Sequence, residues 1–188
     1  MNLAEKHDRF LRWAEMQFLF VEHAKSALYA PDPATGEMGG LPTDKFCGWT
    51  YGAHALSKDE LTLDFDDATM AAAALGHTIS MNLAVWIRHA FQDVVPDARD
   101  NPDWNICSAF EISRLIRNAF SHNPADPHWS IDPLCRNQVF IVDNVITLDT
   151  NDIDGTRFDW HHYGGPLALY RLSQWVRANL LTPQMSEP

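Results

Sequence analysis

Residues 104–124 read WNICSAFEISRLIRNAFSHNP, and within them Ile112, Leu115, Ile116, Ala119 and Phe120 recur three or four positions apart. That spacing predicts an α-helix with one buried face. The helix runs to His122 or Asn123, because Pro124 disfavours helical geometry in the residue before it. With Glu111 placed at 0° and about 100° per residue, His122 falls at about 20°, Asn118 at about 340°, Arg114 at about 300°, Ser121 at about 280° and Arg117 at about 240°. Six polar or charged side chains therefore share one arc of about 140°, opposite the apolar one.

The chain on either side is also mostly helical. Residues 2–29 carry Phe10, Trp13, Phe18, Val21 and Leu28 at roughly helical spacing, and the helix stops at Pro31 and Pro33 before a glycine-containing loop. Residues 41–63 hold Phe46, Trp49, Tyr51 and Leu56 without a sustained period, and are expected to form irregular structure or a short helix. Asp66 and Asp67 offer an N-cap for a second helix whose stripe of Ala72, Leu75, Ile79, Leu83, Trp86, Ala90 and Val94 ends at Pro96. Downstream, residues 138–142 and 145–148 are β-branched runs joined by Asp143-Asn144, a hairpin signal. Gly164-Gly165-Pro166 opens a last helix with Leu169, Leu172, Val176 and Leu180 on one stripe. The expected fold is mainly α: a single domain over residues 1–188, with four to five helices in a bundle. Its motif helix covers about 104–123, a β-hairpin about 136–150 precedes the last helix, and that helix covers about 165–181.

At 188 residues and 46% apolar composition, the chain can bury a core without a metal or disulfide staple. Three cysteines, Cys47, Cys107 and Cys135, are an odd number at wide spacing, so they read as reduced, partly buried thiols. The opening MNLAEKHDRFLRW mixes charge with apolar residues, and no run of about 18 uninterrupted apolar residues follows. A cytoplasmic protein with neither signal peptide nor membrane span is expected. The net charge of −11 argues against a protein that coats nucleic acid non-specifically, since such binding needs many lysines and arginines. An RNA substrate would have to be held by a small local cationic site.

The polar arc suits cleavage of a phosphodiester by the neighbouring 2′-hydroxyl. His122 would move the proton, imidazole being the side chain whose ordinary pKa lies nearest neutrality. Arg117 would hold the phosphate bidentately and stabilise its growing negative charge. Asn118, one turn before His122, would orient the imidazole or a phosphate oxygen. Arg114, Glu111 and Ser121 are supporting candidates on the same arc. No metal or other cofactor is called for.

Arg117-Asn118-Ala119-Phe120-Ser121-His122 resembles the signature of the HEPN superfamily, an arginine and a histidine four to six residues apart with a polar residue after the arginine. The wider run 112–124 is similar to a bacterial branch in which a hairpin and a final helix follow the motif. The strong part of the resemblance covers about residues 105–181. It implies a helical bundle that forms a homodimer, with two motif helices building one composite cleft. It also implies metal-independent cutting of RNA that leaves a 2′,3′-cyclic phosphate, often in toxin–antitoxin or anti-phage defence, with an antitoxin or nucleotidyltransferase as partner.

Other readings compete. A non-catalytic module of the same kind would use the arc to hold a nucleotide or a partner protein. Arg157 and His162 repeat the spacing, but they lie between Gly155 and Gly164-Gly165, where a regular helix is not expected. Asp159-Trp160-His161-His162-Tyr163 reads as a loop with surface histidines, and His122, His128 and Cys135 match no zinc-ligand spacing. Trp104 and Trp129, flanking the motif helix, are the candidates for base stacking, while the aromatic residues of the first two helices are assigned to the core or a dimer interface.

Overall fold

A computed structural model describes residues 2–31, 36, 48–57, 59–61, 63–121 and 123–182. Among them are four α-helices, α1 (Leu3–Tyr29), α2 (Phe65–Val94), α3 (Trp104–Ser121) and α4 (Pro166–Val176). Two strand pairs accompany them, β1 (Trp49–Tyr51) with β2 (His54–Leu56), and β3 (Val139–Val142) with β4 (Ile146–Asp149). The mainly helical class and the hairpin before the last helix are thus as expected. The chain clusters into two compact units, Met1–Phe18 with His77–Pro188, and Leu19–Gly76.

In the larger unit, α3 is the central helix. Its Ile112, Leu115, Ile116 and Phe120 are fully buried and Ala119 nearly so, which is the apolar face that the periodicity predicts. The second half of α2 contributes Leu83, Ala84, Ile87, Ala90 and Phe91 to the same core. By length and composition alone α2 is apolar enough to cross a membrane, with a mean hydropathy of 1.3 in its most apolar window, of which 28% is buried. The start of α1 contributes Leu11, Ala14 and Phe18 rather than Trp13, which stays 47% exposed beneath the Arg9 guanidinium, 4.6 Å from the ring centre. Small Ala14 faces inward and the large ring outward, so size is a poor guide to the inner stripe here. Of the two places expected for the aromatic residues of this helix, core or dimer interface, Trp13 and Phe20 are not in the core of the chain.

The β3–β4 hairpin pairs Val142 with Ile146 around a turn in which Asn144 takes the left-handed conformation, φ 59°. Asparagine tolerates that conformation better than most residues. Phe140, Val142, Ile146 and Leu148 alternate inward. The hairpin is fastened to α3 by Ile141 N–H on Ser108 Oγ at 3.2 Å and by a reciprocal pair between Asn105 and Asp143. At the C-terminus, α4 widens into a π-helical turn closed by Thr182 N–H on the Arg177 carbonyl, 3.0 Å. The wider turn carries Leu181 into the core at 3% exposed, while the expected Leu180 is only partly buried.

In the smaller unit, Val21, Leu28 and Ala68 are buried. The expectation for residues 41–63 is corrected where they are described: β1 and β2 pair antiparallel and a short 3-10 turn, Asp59–Leu61, follows. Thr50 and Tyr51 favour strand conformation, and Gly52, φ 60°, supplies the left-handed turn between the strands. The α2 cap is also corrected. Asp64 accepts the Asp67 N–H at 2.8 Å, whereas Asp66 and Asp67 lie in the first turn. Residues 32–35, 37–47 and His122 lie outside the described residues, and so do parts of the expected glycine loop and Cys47.

Candidate anion site at the end of the third helix

Asp103 caps α3 by accepting the Asn105 N–H at 2.9 Å, and the helix ends at Ser121, whose hydroxyl donates to the Asn118 carbonyl at 2.8 Å. Between these ends the polar arc divides in two. Glu111 is 2% exposed and Arg114 8%, so neither belongs to an open surface. Glu111 Oε1 accepts Arg99 Nε at 2.6 Å, and Oε2 accepts Arg114 Nε at 2.7 Å and the Cys135 thiol at 3.4 Å. Arg114 also donates to Cys135 Sγ at 3.1 Å, and Asp132 stands 3.5 Å from Arg99 and 3.6 Å from Arg114.

This network balances two guanidiniums against two carboxylates, as a buried charge cluster must. Burial, then the Glu111 carboxylate, push the Cys135 thiol up to about 11, so it stays protonated. The hydrogen bond to Glu111 raises Arg99 further. The expectation that Glu111 and Arg114 share an open face with Arg117 is therefore corrected. A helical wheel fixes where they point on α3. The turns Ala98–Asp100 and Pro133–Cys135, which bring Arg99, Asp132 and Cys135 over that side, decide that they are covered.

Arg117 and Ser121 are exposed and Asn118 is half-buried. Arg117 Nη1 donates to Asn118 Oδ1 at 3.0 Å, which leaves the Asn118 amide hydrogens and most of the guanidinium free of partners among the described residues. Beside them is a residue that the sequence reading missed, Arg88 on α2. Burial lowers its pKa most, and the positive charges of Arg117 and Arg114 lower it further against the relief given by Glu111. Among the described residues Arg88 forms neither an ion pair nor a hydrogen bond. A sequence signal existed in Trp86-Ile87-Arg88-His89-Ala90, a lone fixed cation inside an apolar helical stripe. The pairing with Arg117 was not legible there.

The Arg117 guanidinium and the Asn118 amide, with Arg88 within electrostatic reach, are groups whose chemistry suits an oxyanion such as phosphate. No family model matches the chain, and no curated protein or solved structure matches it. The remaining candidates sort by geometry. Trp129 is 1% exposed and donates Nε1–H to His162 Nδ1 at 2.8 Å, so it is a core residue and not a stacking platform. Trp104 is 48% exposed and lies parallel to Phe140, ring centres 5.8 Å apart, but it stands 13 residues before Arg117, about 20 Å along the helix. His128 Nδ1 donates to the Asp126 carbonyl, and no group of three potential ligands able to hold a metal occurs among the described residues. His161 is exposed and bonded to Asp159 in a 3-10 turn, as a surface histidine should be, but His162 is half-buried against Trp129, which corrects that part of the expectation.

Proposed function

We propose that this chain is a metal-independent endoribonuclease of the HEPN type. The observation that carries the reading is the exposed Arg117 guanidinium near the end of α3, bonded only to Asn118 among the described residues, with Arg88, which has no ion pair among them, within electrostatic reach, on a chain of net charge −11. An acidic protein that concentrates unpaired guanidiniums in one place is built to hold a specific anion there, not to attract polyanions generally.

In the proposed reaction the 2′-hydroxyl of the bound nucleotide attacks the adjacent phosphorus and the 5′-oxygen departs, leaving a 2′,3′-cyclic phosphate. Arg117 and Arg88 carry the extra negative charge of the transition state. Asn118 holds Arg117 through Oδ1 and keeps its amide hydrogens for a phosphate oxygen. His122, assigned from its spacing to Arg117, takes and returns the proton. Glu111 and Arg114 act at one remove, fixing the helix that presents Arg117. The proposed working unit is a cytoplasmic homodimer with a composite cleft, serving toxin–antitoxin or anti-phage defence under an antitoxin or nucleotidyltransferase partner.

The test is cleavage of a mixed RNA pool in excess EDTA by the natural chain and by Arg117→Ala, Arg88→Ala and His122→Ala, with the product ends analysed. Cyclic phosphate ends are expected, with activity falling at least about a hundredfold in Arg117→Ala and His122→Ala. No cleavage by a folded dimer across several RNA classes would establish the non-catalytic binding module instead. Cutting that survives both substitutions sinks the assignment of the site.

A further inference from the structure

A two-stranded hairpin has two outer edges, and in β3–β4 one of them is closed. Thr150 N–H donates to the Gln138 carbonyl at 2.9 Å, so residues 138 and 150 are bonded across the ladder. In the antiparallel register that follows, Phe140 opposite Leu148 and Val142 opposite Ile146, the backbone groups of the alternate residues point away from the pair. These are Val139 and Ile141 on β3 and Thr147 and Asp149 on β4. The β3 edge lies against α3, where Ser108 Oγ takes the Ile141 N–H at 3.2 Å. On β4 the N–H and C=O groups of Thr147 and Asp149 have no partner among the described residues. A cleft of about 510 Å³ opens beside β4, lined by Val145, Ile146 and Thr147 and by His162, Tyr163 and Ala168 further along the chain.

Unpaired ladder groups on a strand edge are a template for another strand, and the surroundings say which kind. Along β4, Ile146 and Leu148 are buried while Thr147 and Asp149 are exposed, and a strand laid beside it repeats that alternation. Its inward side chains meet the apolar wall of the cleft, and its outward ones meet Thr147 and Asp149. Asp143 and Asp149, at the two ends of this edge, bond to Asn105 and Asn151 and form no ion pair among the described residues. No lysine or arginine lines the cleft. A second copy of the chain, of net charge −11, would set carboxylate against carboxylate here, so the edge is guarded against its own kind. We propose that the β4 edge takes up an extended segment of a basic partner protein by strand addition, with apolar side chains toward the cleft alternating with lysine or arginine toward Asp149. The proposal is independent of the ribonuclease reading, which rests on α2 and α3.

The test is calorimetric titration of the full chain with the end-blocked peptide Lys-Val-Lys-Val-Lys-Val-Lys, with its counterpart methylated on every backbone nitrogen, and with the same peptide carrying glutamate for lysine. The expected result is a dissociation constant of about 10–100 μM for the first peptide, with the other two at least about tenfold weaker. Asp149→Lys should weaken the first peptide at least about threefold. Because that variant also loses the bond to Asn151, the natural chain supplies a second readout: amide hydrogen exchange at Thr147 and Asp149, followed by NMR, should slow when the first peptide is added. No binding by the folded chain, or equal binding of the methylated counterpart, overturns the proposal. So does protection that falls elsewhere than on Thr147 and Asp149. Protection of these two amides that rises with the chain's own concentration, without peptide, also overturns it, by assigning the edge to a second copy.

Discussion

Glu111 and Arg117 lie six residues apart on one helix and have opposite duties. Glu111 is the shared acceptor of Arg99, Arg114 and the Cys135 thiol, all within 3.4 Å. Replacing it by alanine leaves the buried Arg114 guanidinium with only the more distant Asp132 as counter-charge, which costs up to about 3–5 kcal/mol. Arg117 is exposed and, among the described residues, bonded only to its neighbour Asn118, so Arg117→Ala should change stability by less than about 0.5 kcal/mol. Urea unfolding of the two variants measures both. A Glu111→Ala loss below about 1 kcal/mol would show that the network is not structural. The contrast matters for function, because a residue that can be removed without harm to the fold is the one whose removal reads out chemistry.

Among the elements, α2 shows how a helix boundary is set by one hydrogen bond. Asp64 Oδ1 accepts the Asp67 N–H at 2.8 Å, while Asp66 contributes only its charge near the helix N-terminus. Asp64→Ala should therefore cost about 1 kcal/mol and Asp66→Ala only a few tenths. Thermal unfolding of both distinguishes them, and equal losses would restore Asp66 as the cap. The π turn after α4 makes a related point. One extra residue in the turn moves the inward position from Leu180 to Leu181, a shift that no regular 3.6-residue pattern anticipates.

For the whole molecule, the balance of charge governs how RNA would be held. With Arg88 and Arg117 as the phosphate contacts, the logarithm of affinity for single-stranded RNA should fall with the logarithm of salt at a slope of about −1.4 for one chain, or about −2.8 if a dimer engages both sites. Fluorescence anisotropy with His122→Ala, between about 50 and 200 mM KCl, gives the slope. A value near −6 or steeper would mean an extended cationic surface, which is incompatible with the proposed site.

The sequence by itself determined where α1 and α2 end and α3 begins, the inward face of α3, the presence of the hairpin though not its turn, which takes in Val145 as well as Asp143 and Asn144, and the Gly-Pro start of α4. Each of these rests on periodicity or on the backbone preference of a residue and its near neighbours, which the chain carries locally. It also placed Arg117 and Asn118 on one side of a helix end. Only the tertiary structure decided that Glu111 and Arg114 are covered, that Trp129 is core, and that Arg88 joins Arg117. In each case the deciding contact comes from a segment 12 or more residues away, Arg99 onto Glu111, Cys135 onto Arg114, His162 onto Trp129 and α2 beside α3. A helical period tells which side of an element is polar; what stands against that side is fixed by how distant parts of the chain pack, because burial and pairing belong to the folded neighbourhood and not to the residue.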